Sequence, residues 1–467
     1  MSKRLRMTDG AWFLAESPST PVHVGCLAIC TRPAGAGPDY LRDLVRDWGE
    51  VRRYAPPFNY RYRAWPVPHW QELADADIDL DYHLRHSALP RPGGERELGV
   101  LVSRLHSHAL DRSRPFWECH VIEGLEGDRF ALYMKMHHSQ IDGIGGIRLM
   151  ERMMSPDPDV RGHEPPWAIG MATGGGTGKG DTAVGGARLR EAVRGTRALA
   201  GVFGRLGREA VTDEHPETAV PFEAPMTILN GRINAPRRFA TQHYALARLR
   251  AVADVADVTV NDVFLAICAG ALRRYLDEQG ALPGRTLTAA LPVSVRPADD
   301  HAMGNAISFI LAKLATDEAD PGTRLRAIHA STTAAKGELQ RLPRSAMDPY
   351  TMLYLGPYLT QIMLGLGGYT RPMHNVVISN VPGPRERLYF NGARMEQIYP
   401  VSLLLNGQAL NISVVSYAGR FNLGYTGCRD SLPHMQRLAV YTGEALEELE
   451  AAVGVAAPGP DAGTADT

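Results

Sequence analysis

Phe130-Ala131-Leu132-Tyr133-Met134-Lys135-Met136-His137-His138-Ser139-Gln140-Ile141-Asp142-Gly143 is the stretch on which the reading of this chain turns. Its first seven residues read as a strand that runs directly into the histidine pair. Adjacent residues on a strand point to opposite faces, so the two rings do not readily share one metal. One ring is expected to enter a cleft while the other supports the backbone from behind. Asp142 follows after a short turn, where it can pair with a cation and fix that turn. Gly143 removes a side chain where a substrate would need to approach. A histidine facing the cleft can accept a hydroxyl proton, because its unperturbed pKa lies close to neutrality. The competing reading is two structural histidines satisfied by hydrogen bonds near a turn.

Working outward, Ile144 to Met154 has the apolar spacing of a helix. Upstream, Val22 to Ile29 is rich in strand formers, and Leu98 to Ala109 places Leu98, Leu101, Val102 and Leu105 on one helical face. Residues 1–165 therefore form one mixed α/β unit. Residues 166–220 hold a glycine-rich linker, Met171 to Gly186, and an arginine-rich amphipathic stretch, Arg188 to Arg208. That stretch either packs on its own protein or lies on a membrane surface. A second α/β unit, 221–455, contains a helix over Asn261 to Leu276 and a strand over Thr286 to Val295. It also holds a hairpin of Asn411–Tyr417 with Phe421–Tyr425 around Ala418-Gly419. A last helix is expected to start at Ser431 and Pro433 and to continue toward Leu449. The tail, 456–467, is small and polar and is expected to be disordered.

The chain has 467 residues, 44% hydrophobic and 22% charged, which is ordinary globular composition. Fifty lysines and arginines balance 51 aspartates and glutamates, so no net field draws it to nucleic acid or acidic lipid. The five cysteines do not form a disulfide framework, and a reducing compartment follows. Cys26 and Cys30 have the spacing of half a zinc site but no second pair accompanies them, so no metal is expected. The N-terminus lacks the apolar core of a signal peptide, and no run of about 18 apolar residues occurs. A cytoplasmic protein, touching a membrane without crossing it, is the expectation.

Several enzyme classes drop out. Gly178-Lys179 invites a phosphate-loop reading, yet Thr173 stands in place of its first glycine and Gly180 in place of the magnesium-binding hydroxyl. No G-x-S-x-G and no H-E-x-x-H sequence occurs. A lone histidine suffices for one reaction in particular. A thioester carbonyl is already activated and thiolate leaves readily, so an attacking alcohol needs only a general base, worth about 10²–10⁴-fold.

His137-His138-x-x-x-Asp142-Gly143 resembles the HHxxxDG motif of the coenzyme A-dependent acyltransferase superfamily, which includes chloramphenicol acetyltransferase and peptide-synthetase condensation domains. Over about residues 7 to 453 the chain looks like the bacterial wax ester synthase/acyl-CoA:diacylglycerol acyltransferase (WS/DGAT) family. The segments that carry this are Phe13-Leu14 with Pro21-Val22-His23-Val24-Gly25, Asp79 to Leu84, and Leu110 to Glu118. Further on come Asn261-Asp262-Val263, Pro292 to Arg296, Gly304-Asn305 with Ser308, and Ser379 to Pro384. Pro115-Phe116-Trp117 departs conservatively from the family's PLW element.

The resemblance implies two chloramphenicol-acetyltransferase-like domains with a substrate channel between them and His138 midway along it. His138 is then the general base, with His137 and Asp142 shaping the site and Gly143 leaving room for substrate. Asn261 and Asp262 match the ND element that supports the site from the second domain, although Asn261 equally reads as the cap of its helix. Ser379 and Asn380 match the SNVPGP element, where a donor could face the oxyanion; Pro382-Gly383-Pro384 reads equally as a rigid turn. Pro115 and Trp117 read as packing beside the site. The implied co-substrate is a long-chain acyl-CoA and the acceptor a diacylglycerol or fatty alcohol, with no resident cofactor. Two alternatives stay open: an acyltransferase of small natural products or carrier-protein donors, and a non-catalytic lipid-binding protein. Met352 to Gly368, the most apolar region, is expected to dip into an interface or line an acyl tunnel.

Overall fold

The computed structural model describes residues 2–5, 7–171, 217–294, 307–341, 350 and 356–455. Most of the glycine-rich linker, the whole arginine-rich stretch, Val295-Arg296, Gly304-Asn305, 352–355 and the tail lie outside the described residues. The first half contains β1 (Ser2–Arg4), α1 (Met7–Ala15), β2 (His23–Thr31), α2 (Tyr40–Glu50), β3 (Tyr60–Arg63), β4 (His69–Glu72) and α3 (Leu80–His83). It continues with β5 (Leu84–Ala88), α4 (Glu95–Ser107), β6 (Trp117–Leu125), β7 (Arg129–His137), α5 (Gly143–Met153) and α6 (Pro166–Ile169). The second half contains β8 (Arg237–Ala245), α7 (Leu246–Ala256), α8 (Val260–Glu278), β9 (Thr288–Ser294), β10 (Ile307–Lys313) and α9 (Pro321–Gln340). It ends with β11 (Val376–Pro382), β12 (Tyr389–Phe390), β13 (Ala393–Val401), β14 (Leu410–Tyr417), β15 (Arg420–Cys428) and α10 (Arg437–Val453).

Two six-stranded sheets dominate, ordered β12-β13-β2-β7-β6-β5 and β10-β9-β11-β14-β15-β8. Strand β7 shows why the first is buried on both faces. Its even positions Phe130, Leu132 and Met136 enter one apolar cluster with Trp117 and Ile147. Its odd positions Ala131 and Tyr133 enter another, with Leu98, Leu101 and Val102 of α4. The period-two alternation of a strand thus feeds two cores at once. Lys135, an odd position, is fully buried and donates to the carbonyls of Leu105 and His108 while pairing with Glu118 at 3.0 Å.

The division at 165 and 221 does not follow the sheets. Strands β12 and β13 lie within the second unit's sequence but complete the first unit's sheet, β13 pairing with β2 from Arg394 opposite Thr31 to Val401 opposite Gly25. In return, α4 closes the free edge of the second sheet: the Ser103 and Ser107 hydroxyls accept the Phe239 and Arg237 amides at 2.9 and 2.8 Å. Each half therefore finishes the other.

The second core is built around α8, which is buried along most of its length and packs against α10. Its cap is Thr259, not Asn261: the Thr259 hydroxyl accepts from the Asp262 amide, and the Asp262 carboxylate accepts back from the Thr259 amide at 3.0 Å. The last helix starts at Arg437, later than expected from Ser431 and Pro433, because 431–436 forms turns with His434 at φ 51. A left-handed residue cannot propagate a helix. Among the described residues no single helix is long and apolar enough to cross a membrane. The α7–α8 pair meets the test together but bends by 102°, and α8 is core.

Candidate active site

A cavity of about 1610 Å³ runs between the two sheets, larger than the roughly 300–1,000 Å³ of an ordinary small-molecule pocket. Strands β2, β7, β9, β11, β13 and β14 all contribute to its wall. Strands β9 and β11 pair only at Val376 and Val377, and the residues beyond that pairing on both, Pro292 and Ser379 among them, line the cavity.

The alternation of β7 continues into the histidine pair. Met134, Met136 and His138 line the cavity, whereas His137 faces backward with Tyr133 and Lys135. The His138 amide donates to the Val22 carbonyl and the His137 amide to that of Phe116, each at 3.1 Å, which fixes the backbone at the strand end. His138 Nδ1 lies 2.9 Å from the Ile141 carbonyl, an acceptor, so Nδ1 carries the proton and Nε2 keeps a free lone pair. The ring stacks on Trp12, centroids 4.5 Å apart and planes at 15°. Burial pulls the His138 pKa below the usual imidazole value, and the Ile141 carbonyl and Asp142 carboxylate oppose this only in part. At neutral pH the imidazole is therefore uncharged.

His137 is buried between Phe13 and Phe116, with ring centroids 4.6 and 5.1 Å away. Its Nδ1 accepts from the Ser139 amide at 3.2 Å, with the Ser139 hydroxyl at 2.7 Å, leaving the proton on Nε2, 3.7 Å from Glu16. Desolvation first, then the neighbouring His138 and Arg112, holds its pKa down to about 3. Arg112 in turn grips Glu16 Oε2 through Nη2 and Nε at 2.6 and 3.1 Å.

Asp142 caps α5, accepting the Gly145 amide at 2.7 Å; the turn is fixed by this cap. Gly143 lines the cavity, but the closest demand on it comes from the protein. A Cβ there would stand 3.0 Å from Val381 Cγ2 of β11, so its absence lets α5 approach the opposite half. Asn261 also lines the cavity and accepts from the Asn380 amide group at 3.2 Å, joining α8 to β11. Ser379 lies on the same wall.

Asp262 does not reach the cavity. It is fully buried on the helical side, where it accepts from His329 Nδ1 at 2.8 Å and the Thr332 hydroxyl at 2.7 Å besides Thr259. Burial alone would raise its pKa, yet the hydrogen bonds from His329, Thr332 and Thr259 outweigh this and hold it below the usual carboxylate value. Pro115 and Trp117 are likewise buried away from the cavity. Trp117 donates to the Phe58 carbonyl at 2.9 Å and stacks on His83 and Trp167, centroids 4.2 and 5.4 Å apart, within the first core.

Sequence reasoning missed Trp12, Glu16 and Lys336. Lys336 lies on α9 one turn past Thr332, lines the cavity, and has no hydrogen-bond or ion-pair partner among the described residues. None of the three stands in a recognisable spacing, although Arg112, the partner of Glu16, lies in the quoted Leu110–Glu118 segment. Among the described residues no group of three or more histidines, cysteines or acids could hold a metal.

A neutral imidazole with a free nitrogen, set in a cavity between the two sheets at the end of the His137-His138-x-x-x-Asp142-Gly143 run, is the arrangement that base-assisted acyl transfer needs. The chain matches the wax ester synthase/diacylglycerol acyltransferase catalytic domain over residues 5–264 and the WS/DGAT C-terminal domain over residues 303–450. It is 45% identical to a putative diacyglycerol O-acyltransferase of Mycobacterium tuberculosis, over 98% of this chain and 99% of that one. It is 39% identical to the O-acyltransferase WSD of Acinetobacter baylyi, over 99% of each. The solved wax ester synthase/diacylglycerol acyltransferase from Marinobacter aquaeolei VT8 superposes with a TM-score of 0.76 at 37% identity, over 96% of this chain and 99% of that one. The first condensation domain of the CDA synthetase, at 16% identity and a TM-score of 0.61 over 98% and 97%, shares the fold. The chain belongs to the wax ester synthase/diacylglycerol acyltransferase family.

Proposed function

We propose that this acyltransferase moves a long-chain acyl group from acyl-CoA to the hydroxyl of a diacylglycerol or fatty alcohol, with His138 as general base. The observation that carries the reading is the His138 tautomer: Nδ1–H is committed to the Ile141 carbonyl, so the basic Nε2 is left for a substrate in the cavity. Nε2 takes the acceptor's hydroxyl proton as the oxygen attacks the thioester carbonyl. The tetrahedral oxyanion collapses, the C–S bond breaks, and the departing thiolate recovers the proton from Nε2. No covalent acyl-enzyme and no resident cofactor are required. The family relatives named as diacylglycerol acyltransferases and wax ester synthase support the acceptor class, and the cavity volume suits two long chains at once. Lys336 offers a cation for the phosphates of coenzyme A on the wall that carries Asn261. A lipid acceptor also requires the protein to work at a lipid surface.

The test is His138→Ala with mixed acyl-CoA donors and mixed acceptors, products read by mass spectrometry. Turnover should fall by about 10²–10⁴-fold while the protein stays folded. Retention of wild-type turnover would remove His138 from the mechanism.

A further inference from the structure

The exposed apolar side chains of this protein are not scattered. The β3–β4 hairpin ends in Ala64-Trp65-Pro66-Val67-Pro68, five apolar residues that are all exposed, with Trp65 at 85% and Val67 at 65%. On α1, Leu14 is 63% exposed, and just beyond the helix at 356–363 Leu364 is 67% exposed, beside the exposed Met363. Packing shows how these three places adjoin. Helix α1 sets Phe13 against Tyr62 and Trp70 of the hairpin, ring centroids 3.9 and 5.8 Å away. The same helix sets Trp12 and Ala15 against Tyr358 and Ile362. Leu14 thus stands between the hairpin and the 356–364 segment, on the outside.

This rim is continuous with the interior. Leu14, Val67 and Pro68 line the cavity, as do Trp12 beside His138 and Leu359. A water-exposed apolar rim that leads into a mostly apolar cavity has no use for a water-soluble ligand alone, and isolated monomers rarely leave such surface bare. The charges behind the rim have one sign in excess. Lys3 stands over the Tyr60 ring at 5.5 Å, and Arg61 and Arg63 flank the loop, both donating to Gln71. Tryptophan at a loop tip backed by cations is the arrangement that settles at the headgroup level of a lipid layer.

We propose that this rim is a lipid-docking face that seats on an anionic lipid layer and opens the cavity to it, so that a lipid substrate passes from the layer to His138 without crossing water. The identity of that substrate rests on the acyltransferase reading; the docking does not.

The test uses the full chain with phosphatidylcholine vesicles, with and without phosphatidylglycerol, by co-sedimentation and tryptophan emission. Trp65 is the one strongly exposed indole of six, so its emission should shift to the blue on anionic vesicles, and Trp65→Phe should abolish the shift. Trp65→Ser with Leu364→Ser should weaken partitioning by about tenfold or more. The double variant should turn over a water-soluble short-chain alcohol at the wild-type rate yet lose turnover of a vesicle-borne acceptor. If the double variant misfolds, Trp65→Ser alone serves the same purpose. Absence of wild-type vesicle binding, or equal binding by the variants, overturns the proposal. So does a wild-type dimer that the variants dissociate without change in vesicle binding. Wild type inactive on the soluble alcohol would instead count against the acyltransferase reading.

Discussion

Asp262 separates a structural role from a chemical one more sharply than any other residue here, and Asp262→Asn is the perturbation that shows it. The native carboxylate accepts four hydrogen bonds, from the Thr259 amide and hydroxyl, His329 and Thr332, at 2.7–3.0 Å. An asparagine keeps one acceptor oxygen and turns an amide N–H toward a donor. Two charge-assisted bonds are then lost or strained, each worth roughly 1.5–3 kcal/mol. His329 is partly exposed and can turn to water, so the net loss should be about 2–4 kcal/mol. Asp262→Ala, which removes all four bonds and leaves the buried Thr332 hydroxyl without its carboxylate acceptor, should lose about 3–5 kcal/mol. Urea denaturation followed by fluorescence measures this, with turnover determined separately on the folded protein at low temperature. The sign of the pH dependence follows from the depressed carboxyl pKa. Asp262 contributes its full stability above the unfolded value of about 4, and loses it as pH falls through the lower folded value. The gap between wild type and Asp262→Asn should therefore be complete at pH 7 and close in strong acid. An unchanged midpoint at pH 7 combined with a hundredfold loss of turnover would refute the reasoning, because it would put the carboxylate in the chemistry.

Two further outcomes are expected. Because burial lowers the His138 pKa and only the neutral ring is a base, the acid limb of kcat/KM should have its midpoint below the ordinary imidazole value of about 6.5; a midpoint above that value in the pH–rate profile would contradict the assignment. Lys336→Ala should raise KM for acyl-CoA by about tenfold, more at low salt, with kcat little changed. It should leave an N-acetylcysteamine thioester, which lacks the phosphates, unaffected, and equal effects on both donors would dismiss the phosphate contact.

The parts of this molecule that were legible in sequence are those set by local period and local chemistry. The alternation through Phe130 to His138 assigns His137 and His138 to opposite faces before any coordinates are known. The turn residues Ala418-Gly419 likewise mark the β14–β15 hairpin, realised with both residues at positive φ. What stayed hidden depends on contacts between distant residues. Nothing around Arg394 to Val401 announces that its partner is Thr31 to Gly25, since a strand's pattern records which face is apolar and not which neighbour it has. The cap at Thr259 was legible in principle from Thr259-x-x-Asp262, yet asparagine's preference for caps drew attention to Asn261. Trp12 carries no spacing signal at all, because its meaning comes only from the His138 ring it covers.

The exchange of β13 into the first sheet constrains how this enzyme can be loaded. The chain leaves one sheet along β11, runs beside β2 for the length of β13, and returns along β14. A strap of hydrogen-bonded backbone therefore ties the halves along one side of the passage, and Gly424 lies so close under it that a Cβ there would meet the Pro400 carbonyl. Because the chain crosses between the sheets both before and after β13, swinging the halves apart like a clam would have to stretch both crossings and lift Gly424 from under Pro400, which favours substrates threading endwise into a passage that is already formed. A fragment stopping at residue 264 would bare the β2 edge and should aggregate rather than act alone.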